Sequence, residues 1–164
     1  MPVLERPQRL SSDALLSIAD ELASAVVGVE LTIPLEDRRA FVRLTRTRSH
    51  EAWLIAWMPT SGLAMHDHGG SAGAISIASG TLAESYVDRG PRERMRRRRL
   101  HAGATVEVPA NRIHEVRNPG PERALSVHVY SPPLAEMTFY DAARRPPDVH
   151  TIMHGARLHG PANE

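Results

Sequence analysis

Two stretches hold the residues best suited to chemistry: GLAMHDHGGSAGAISIASG, from Gly62 to Gly80, and GATVEVPANRIHEVRN, from Gly103 to Asn118. In the first, one residue separates His66 from His68. Alternate side chains on an extended strand share a face, so this spacing turns both imidazoles the same way and Asp67 the other. Two neutral imidazoles side by side are natural ligands for a divalent metal ion. His114, in the second stretch, adds a third nitrogen if the two strands face each other in a closed sheet. The chain has nine histidines, so the argument rests on spacing rather than number. His50, His101, His150, His154 and His159 lack such a pattern and read as solvated or hydrogen-bonded.

Bringing three side chains from distant strands to one point requires a scaffold, and composition bounds what it can be. A chain of 164 residues suits one domain, able to bury roughly 70% of its unfolded surface. There is no cysteine, which excludes disulfides, thiolate ligands and a cysteine nucleophile. Twenty Lys and Arg against nineteen Asp and Glu give a net charge of +1, too even to favour a nucleic-acid partner. No N-terminal leader pattern and no apolar run of membrane-spanning length are visible. The expectation is a soluble, cytoplasmic protein with no membrane partner, monomeric or a small homo-oligomer.

Residues 1–37 read as an N-terminal arm and one helix. Leu15, Ile18, Leu22 and Val26 recur at helical spacing after Ser12, with Asp13 in the first turn and Gly28 as a stop. From residue 38 the texture is β: AFVRLTRT, AWLIAWM, GAISIAS, TLAESYV, ATVEVP, IHEVRN, ALSVHVYS and EMTFYD are punctuated by Gly, Pro, Asn or Asp. Many short strands at this density predict a sandwich or small barrel over 38–154, followed by a disordered tail at 155–164. Six arginines fall between Arg92 and Arg99. Without interleaved aromatics they read as a solvated edge strand whose charges discourage edge pairing. Trp53 and Trp57 share a strand face and read as core.

The two histidine stretches together resemble the two motifs of the cupin family. In the second, Gly103, Pro109, His114 and Asn118 fall in phase; Asn111 stands where a glycine is usual, and asparagine also tolerates left-handed backbone. In the first, Gly73 occupies the slot seven residues before Gly80 where most cupins carry an acidic ligand. His-x-His, no acid and a later histidine resemble the thiol dioxygenase branch, the cysteine dioxygenase family. ALSVHVYSPPL, from Ala124 to Leu134, is similar to that branch's Ser-x-His-x-Tyr-Ser-Pro-Pro segment.

The resemblance implies an all-β fold, a small cupin barrel (double-stranded β-helix or jelly roll) with an N-terminal α-helix. It implies Fe(II) on His66, His68 and His114, with O2 as co-substrate and a small-molecule thiol as the partner. Three uncharged ligands would leave the ion its full charge, favouring an anionic sulfur. The expected reaction is oxidation of a small carboxylated thiol, L-cysteine to its sulfinate, with 3-mercaptopropionate or another thiol as the alternative. A non-catalytic, small-molecule-binding cupin is the reading of a different class. Tyr130, oriented by His128 and Ser126 on the same strand face, would lie beside the reacting groups. Some relatives crosslink this tyrosine to a cysteine at the position of Gly73, which this chain cannot do. Arg43 resembles the arginine that binds the substrate carboxylate, and Phe41 on its face would wall the pocket. Arg46 and Arg48 are rivals, Arg46 being placed by simple alternation on the opposite face.

Overall fold

The computed structural model describes residues 8–31, 38–140 and 148–151. One helix, α1 (Ser12–Ala25), precedes eleven strands: β1 (Arg39–Arg46), β2 (Glu51–Trp57), β3 (Gly62–His66), β4 (Ala72–Ser79), β5 (Thr81–Asp88), β6 (Arg96–His101), β7 (Thr105–Val108), β8 (Arg112–Arg117), β9 (Ala124–Ser131), β10 (Glu136–Phe139) and β11 (Asp148–Thr151). They form two antiparallel sheets, ordered β1-β2-β9-β4-β7 and β11-β10-β3-β8-β5-β6.

Helix α1 begins where Ser11 caps it, its side chain accepting from Ala14 N–H. Its fully buried stripe is Leu15, Ala19 and Ala23, continued by Val26, while Ile18 and Leu22 pack at the margin. The apolar face is thus rotated from the Leu15-Ile18-Leu22 line that size alone suggests. Two alanines at the centre bring the helix close to the sheet, which larger side chains would prevent. The helix packs on β4, β9 and β7, meeting Ala74, Leu125, Val127 and Val129, and Ala52, Leu54 and Ala56 of β2 continue the same apolar layer on the outer face of the five-stranded sheet.

Every residue of β2 and β9 is buried, their outer-face residues within that apolar layer. Odd and even positions serve two cores: one packs under the helix, the other faces the space between the sheets. Trp53, Ile55 and Trp57 from β2 and Tyr130 from β9 join Leu63, Ile75, Leu82, Val116 and Phe139 in the inner core. Strand β6 lies at a sheet edge, and Arg96, Arg97 and Arg99 on it are exposed, as the solvated-edge reading expects. Arg92 and Arg94 are exposed before it.

The arm is anchored at its described end, Arg9 Nη2 donating to Gly70 O and Leu10 N–H to Ser131 Oγ. The expected disordered tail lies outside the described residues. No described helix is long and apolar enough to cross a membrane.

Candidate metal centre

His66 and His114 stand opposite each other on β3 and β8. Between the Leu63–Val116 and His66–His114 pairs the register shifts, β3 spending three residues where β8 spends two. Without that extra residue Leu63 and His66 would face opposite sides of the sheet; with it both face inward. Strand β3 ends at His66, but Asp67 N–H still donates to Thr138 O at 2.9 Å, so the backbone stays paired and carries His68 inward. Asp67 turns away, accepting from Gly69 N–H and the Tyr140 hydroxyl and pairing with Arg89.

All three imidazoles are buried. The Nε2 atoms of His66 and His114 lie 3.2 and 3.3 Å from that of His68. Nitrogens held about 2.1 Å from one ion are separated by roughly 3.0–3.4 Å in octahedral or tetrahedral arrangements. His66 Nδ1 meets the Ala64 carbonyl at 2.7 Å and His114 Nδ1 meets Glu84 Oε1 at 2.8 Å. Both oxygens only accept, so both Nδ1 atoms carry the proton and both Nε2 atoms present lone pairs. A cation at their common centre reconciles lone pairs that otherwise face one another, and the residues present therefore fit a divalent ion. Burial, and then the charge of His114, push the pKa values of His66 and His68 well down, keeping these rings neutral and able to ligate. His68 differs from the other two: its Nδ1 is buried with no hydrogen-bond partner among the described residues.

Glu84 anchors this side. Burial raises its pKa, but the hydrogen bond from His114 and the Arg98 guanidinium outweigh burial and hold the carboxyl at about 2. Arg98 Nε donates to Glu84 Oε2 at 2.6 Å, and Arg112 approaches Oε1 at 3.7 Å while gripping Asp88 through two bonds of 2.7 and 2.9 Å. One arginine of the charged run is therefore turned inward and supports a ligand. Asn111 does not take left-handed backbone; its amide instead donates to Arg89 O at 2.8 Å, closing the turn before β8 through its side chain.

No protein ligand can come from the Gly73 slot. A Cβ there would lie 2.7 Å from Val129 O and 3.2 Å from the Tyr130 ring. Tyr130 borders that position, its ring edge-on to His68 at 4.8 Å between centroids.

Behind Tyr130 runs a chain of hydrogen bonds. Trp57 Nε1–H donates to Ser126 Oγ at 2.9 Å, Ser126 Oγ lies 2.9 Å from His128 Nε2, and His128 Nδ1 lies 3.2 Å from Tyr130 Oη. The direction of the protons follows from the first link. An indole N–H can only donate, so the Ser126 hydroxyl accepts there, and donating its own proton to His128 Nε2 is the arrangement that leaves no donor of the chain unused. A neutral His128 then carries its proton on Nδ1 and donates to the Tyr130 oxygen. Burial, with the charge of His114, lowers the His128 pKa to about 3, so the ring is neutral at physiological pH. Burial and the nearby Glu51 carboxylate raise the Tyr130 pKa, so the phenol keeps its proton, which the chain behind it leaves unengaged.

On β1, Phe41 packs against the inner core and Arg43 shares its face, the guanidinium carbon 5.7 Å from the centre of the Trp53 ring. A register shift between Arg43 and Thr45 corrects the alternation expected for Arg46: it falls opposite Glu51, on the same face as Arg43. There it donates to Glu51 Oε2 at 3.0 Å, while Glu51 Oε1 takes Leu134 N–H. Arg48 is exposed in the β1–β2 turn. Arg39, passed over in the sequence reading, shares the inward face. Its guanidinium lies 5.8 Å from the Phe41 ring centre, near enough to the site for its charge to disfavour protonation of His66.

Sequence reasoning also missed Glu84, Glu51 and the polar role of Trp57. For Glu84 a signal existed: in TLAESYV it sits between Leu82 and Tyr86 on the alternating inward face, where a carboxylate needs a partner.

The family model for cysteine dioxygenase type I matches residues 35–143. Among solved structures, TT1209 from Thermus thermophilus is similar at 23% identity and a TM-score of 0.51, over 63% of this chain and 91% of that one. A Klebsiella pneumoniae protein with a double-stranded β-helix domain matches at 19% identity and 0.52, over 67% and 90%. An oxalate oxidase matches at 17% and 0.55, with 63% of this chain covering 56% of that one. At these identities the solved structures establish the cupin fold.

Proposed function

The chain belongs to the cysteine dioxygenase type I family, and from that membership we propose that it oxidises a small carboxylated thiol, L-cysteine first, to the sulfinate, using Fe(II) and O2. The supporting observation is a set of three converging, buried imidazoles, with His66 and His68 held neutral by burial, beside a glycine whose close backbone neighbours leave no room for an acidic side chain. Such a donor set leaves an ion's charge uncompensated by its ligands, which favours an anionic sulfur over a neutral donor.

His66, His68 and His114 would hold the iron. When bound, it supplies the redox chemistry by which thiolate and dioxygen combine, both oxygen atoms ending on sulfur. The protein's own residues do the rest. Tyr130, its oxygen accepting from His128, offers its phenolic proton to polar groups entering beside His68. His128 and Ser126 act through Tyr130 by fixing its direction. Arg43 binds the substrate carboxylate, since a guanidinium matches two carboxylate oxygens at once. Arg46 is engaged by Glu51, which leaves Arg43 the better placed of the two. Phe41 walls the pocket and excludes water.

Oxygen uptake by iron-reconstituted protein, measured with L-cysteine, 3-mercaptopropionate and cysteamine, tests this. One O2 consumed per carboxylated thiol, with cysteamine a poor substrate, is the expected result. A clear preference for 3-mercaptopropionate would move the substrate assignment, and tight thiol binding without uptake would make the protein a binding cupin.

A further inference from the structure

Strand β2 carries two tryptophans on one face, and their indole N–H groups have opposite fates. Trp57 donates to Ser126. Trp53 Nε1 is equally buried but has no acceptor among the described residues. A buried donor left unmade costs free energy until something accepts from it. Beside it stands a second uncommitted donor, this one exposed at the strand surface. Arg43 is the cross-strand partner of Trp53, its guanidinium lies over the Trp53 ring, and among the described residues it makes no hydrogen bond or ion pair. On its other side Trp53 is paired with His128, within the chain of bonds that directs Tyr130.

We propose that Trp53 Nε1–H and the Arg43 guanidinium together seat the substrate's carboxylate, one oxygen on each, so that Trp53 determines specificity as well as filling the core. This rests on the function proposed above and names its second anion donor. The chemistry selects the ligand class. One positive charge and one neutral donor match a monoanion with two adjacent oxygens; a cationic head would meet the guanidinium unfavourably, and a phosphate dianion would be left half compensated. Arg46 offers no equivalent seat because Glu51 already occupies it. The arrangement gives the thiol two anchors, its sulfur at the histidine centre and its carboxylate at the Arg43–Trp53 pair.

The chain has two tryptophans, so its indole N–H groups give two NMR signals, and Trp53→Phe identifies which is which. Zinc-loaded, 15N-labelled protein is titrated with L-cysteine, 3-mercaptopropionate and cysteamine, zinc holding the thiols without turning them over. The Trp53 signal should move downfield with both carboxylated thiols and stay with cysteamine, while the Trp57 signal stays throughout. In iron-loaded protein Trp53→Phe should raise KM for a carboxylated thiol about tenfold, the effect of losing a hydrogen bond to a charged group. Its kcat, and KM for cysteamine, should change by less than about twofold. A Trp53 signal indifferent to a carboxylated thiol that the enzyme oxidises overturns this inference alone, as does one that responds equally to cysteamine. Absence of carboxylated-thiol binding and oxygen uptake overturns the function as well. If Trp53→Phe does not fold, Trp57→Phe assigns the signals and the titration of the unaltered protein still decides.

Discussion

The two sheets meet at one site but hold their side chains by different means. On the six-stranded sheet the imidazole of His114, one of the three that fit a metal ion, is tethered through an ionised carboxylate, Glu84, that is itself held by Arg98 and approached by Arg112. On the five-stranded sheet Trp57, Ser126, His128 and Tyr130 are linked by hydrogen bonds between neutral groups. The contrast follows from the tasks. A fixed anion behind a ligand increases its basicity and strengthens its hold on a cation. Setting the direction of one proton needs no net charge, only a terminal group that cannot accept, and the indole of Trp57 is such a group.

Variants separate the two halves, and the largest effect belongs to the ionic one. His114→Ala should remove iron retention and turnover together; metal analysis showing normal iron content would detach this residue from the centre. Next, Tyr130→Phe should lower kcat about a hundredfold, in the range of a lost proton donor, with iron content unchanged. A parallel loss of iron would mean that the neutral side also holds the metal. Glu84→Gln keeps the shape but removes the charge, and a competition titration should find metal affinity weaker by about tenfold or more. Unchanged affinity would reduce Glu84 to a packing residue.

Acid should act on both sides, with a sign set by the direction of the shifts. His128 is lowered to about 3 from 6.5 and Glu84 to about 2 from 4.5. Each folded pKa lies below its unfolded one, so each contribution is complete above the unfolded value and is lost as pH falls through the folded one. The metal-free protein should lose melting temperature from about pH 6.5 downward, first through His128 and its buried neighbours and below about 4.5 also through Glu84. A flat melting temperature between pH 6.5 and 4 would contradict the buried, neutral state of these rings. The smallest effect is expected for Trp57→Phe, which frees Ser126 to reverse its bond to His128: kcat should drop about three- to tenfold, the value of one neutral hydrogen bond, with KM held. An unchanged kcat would show that the chain's direction is set elsewhere.

Much of this was readable from spacing. The common face of His66 and His68, that of Ser126, His128 and Tyr130, and the many short strands follow from period-two alternation and turn residues, which are local properties of the sequence, while the cupin barrel and the grouping of His114 with the other two came from the family resemblance. What alternation cannot register is a place where the period slips. The extra residue between Leu63 and His66, and the shift between Arg43 and Thr45, are paid for by tertiary pairing, and the second reversed the expected face of Arg46. Partners across strands are likewise invisible to local pattern: Glu84 reaches His114 over 30 residues and Trp57 reaches Ser126 over 69. The helix stripe keeps Leu15 and Val26 but is centred on Ala19 and Ala23, with Ile18 and Leu22 at its margin, because closeness to the sheet favours small residues there.

X-ray absorption at the iron edge, recorded on reconstituted protein before and after anaerobic addition of L-cysteine, tests the central claim most directly. The account predicts scattering from three imidazoles with no carboxylate ligand from the protein, joined by one sulfur neighbour when the thiol is present. Fewer imidazoles, or a first shell in which cysteine adds no sulfur, would contradict it.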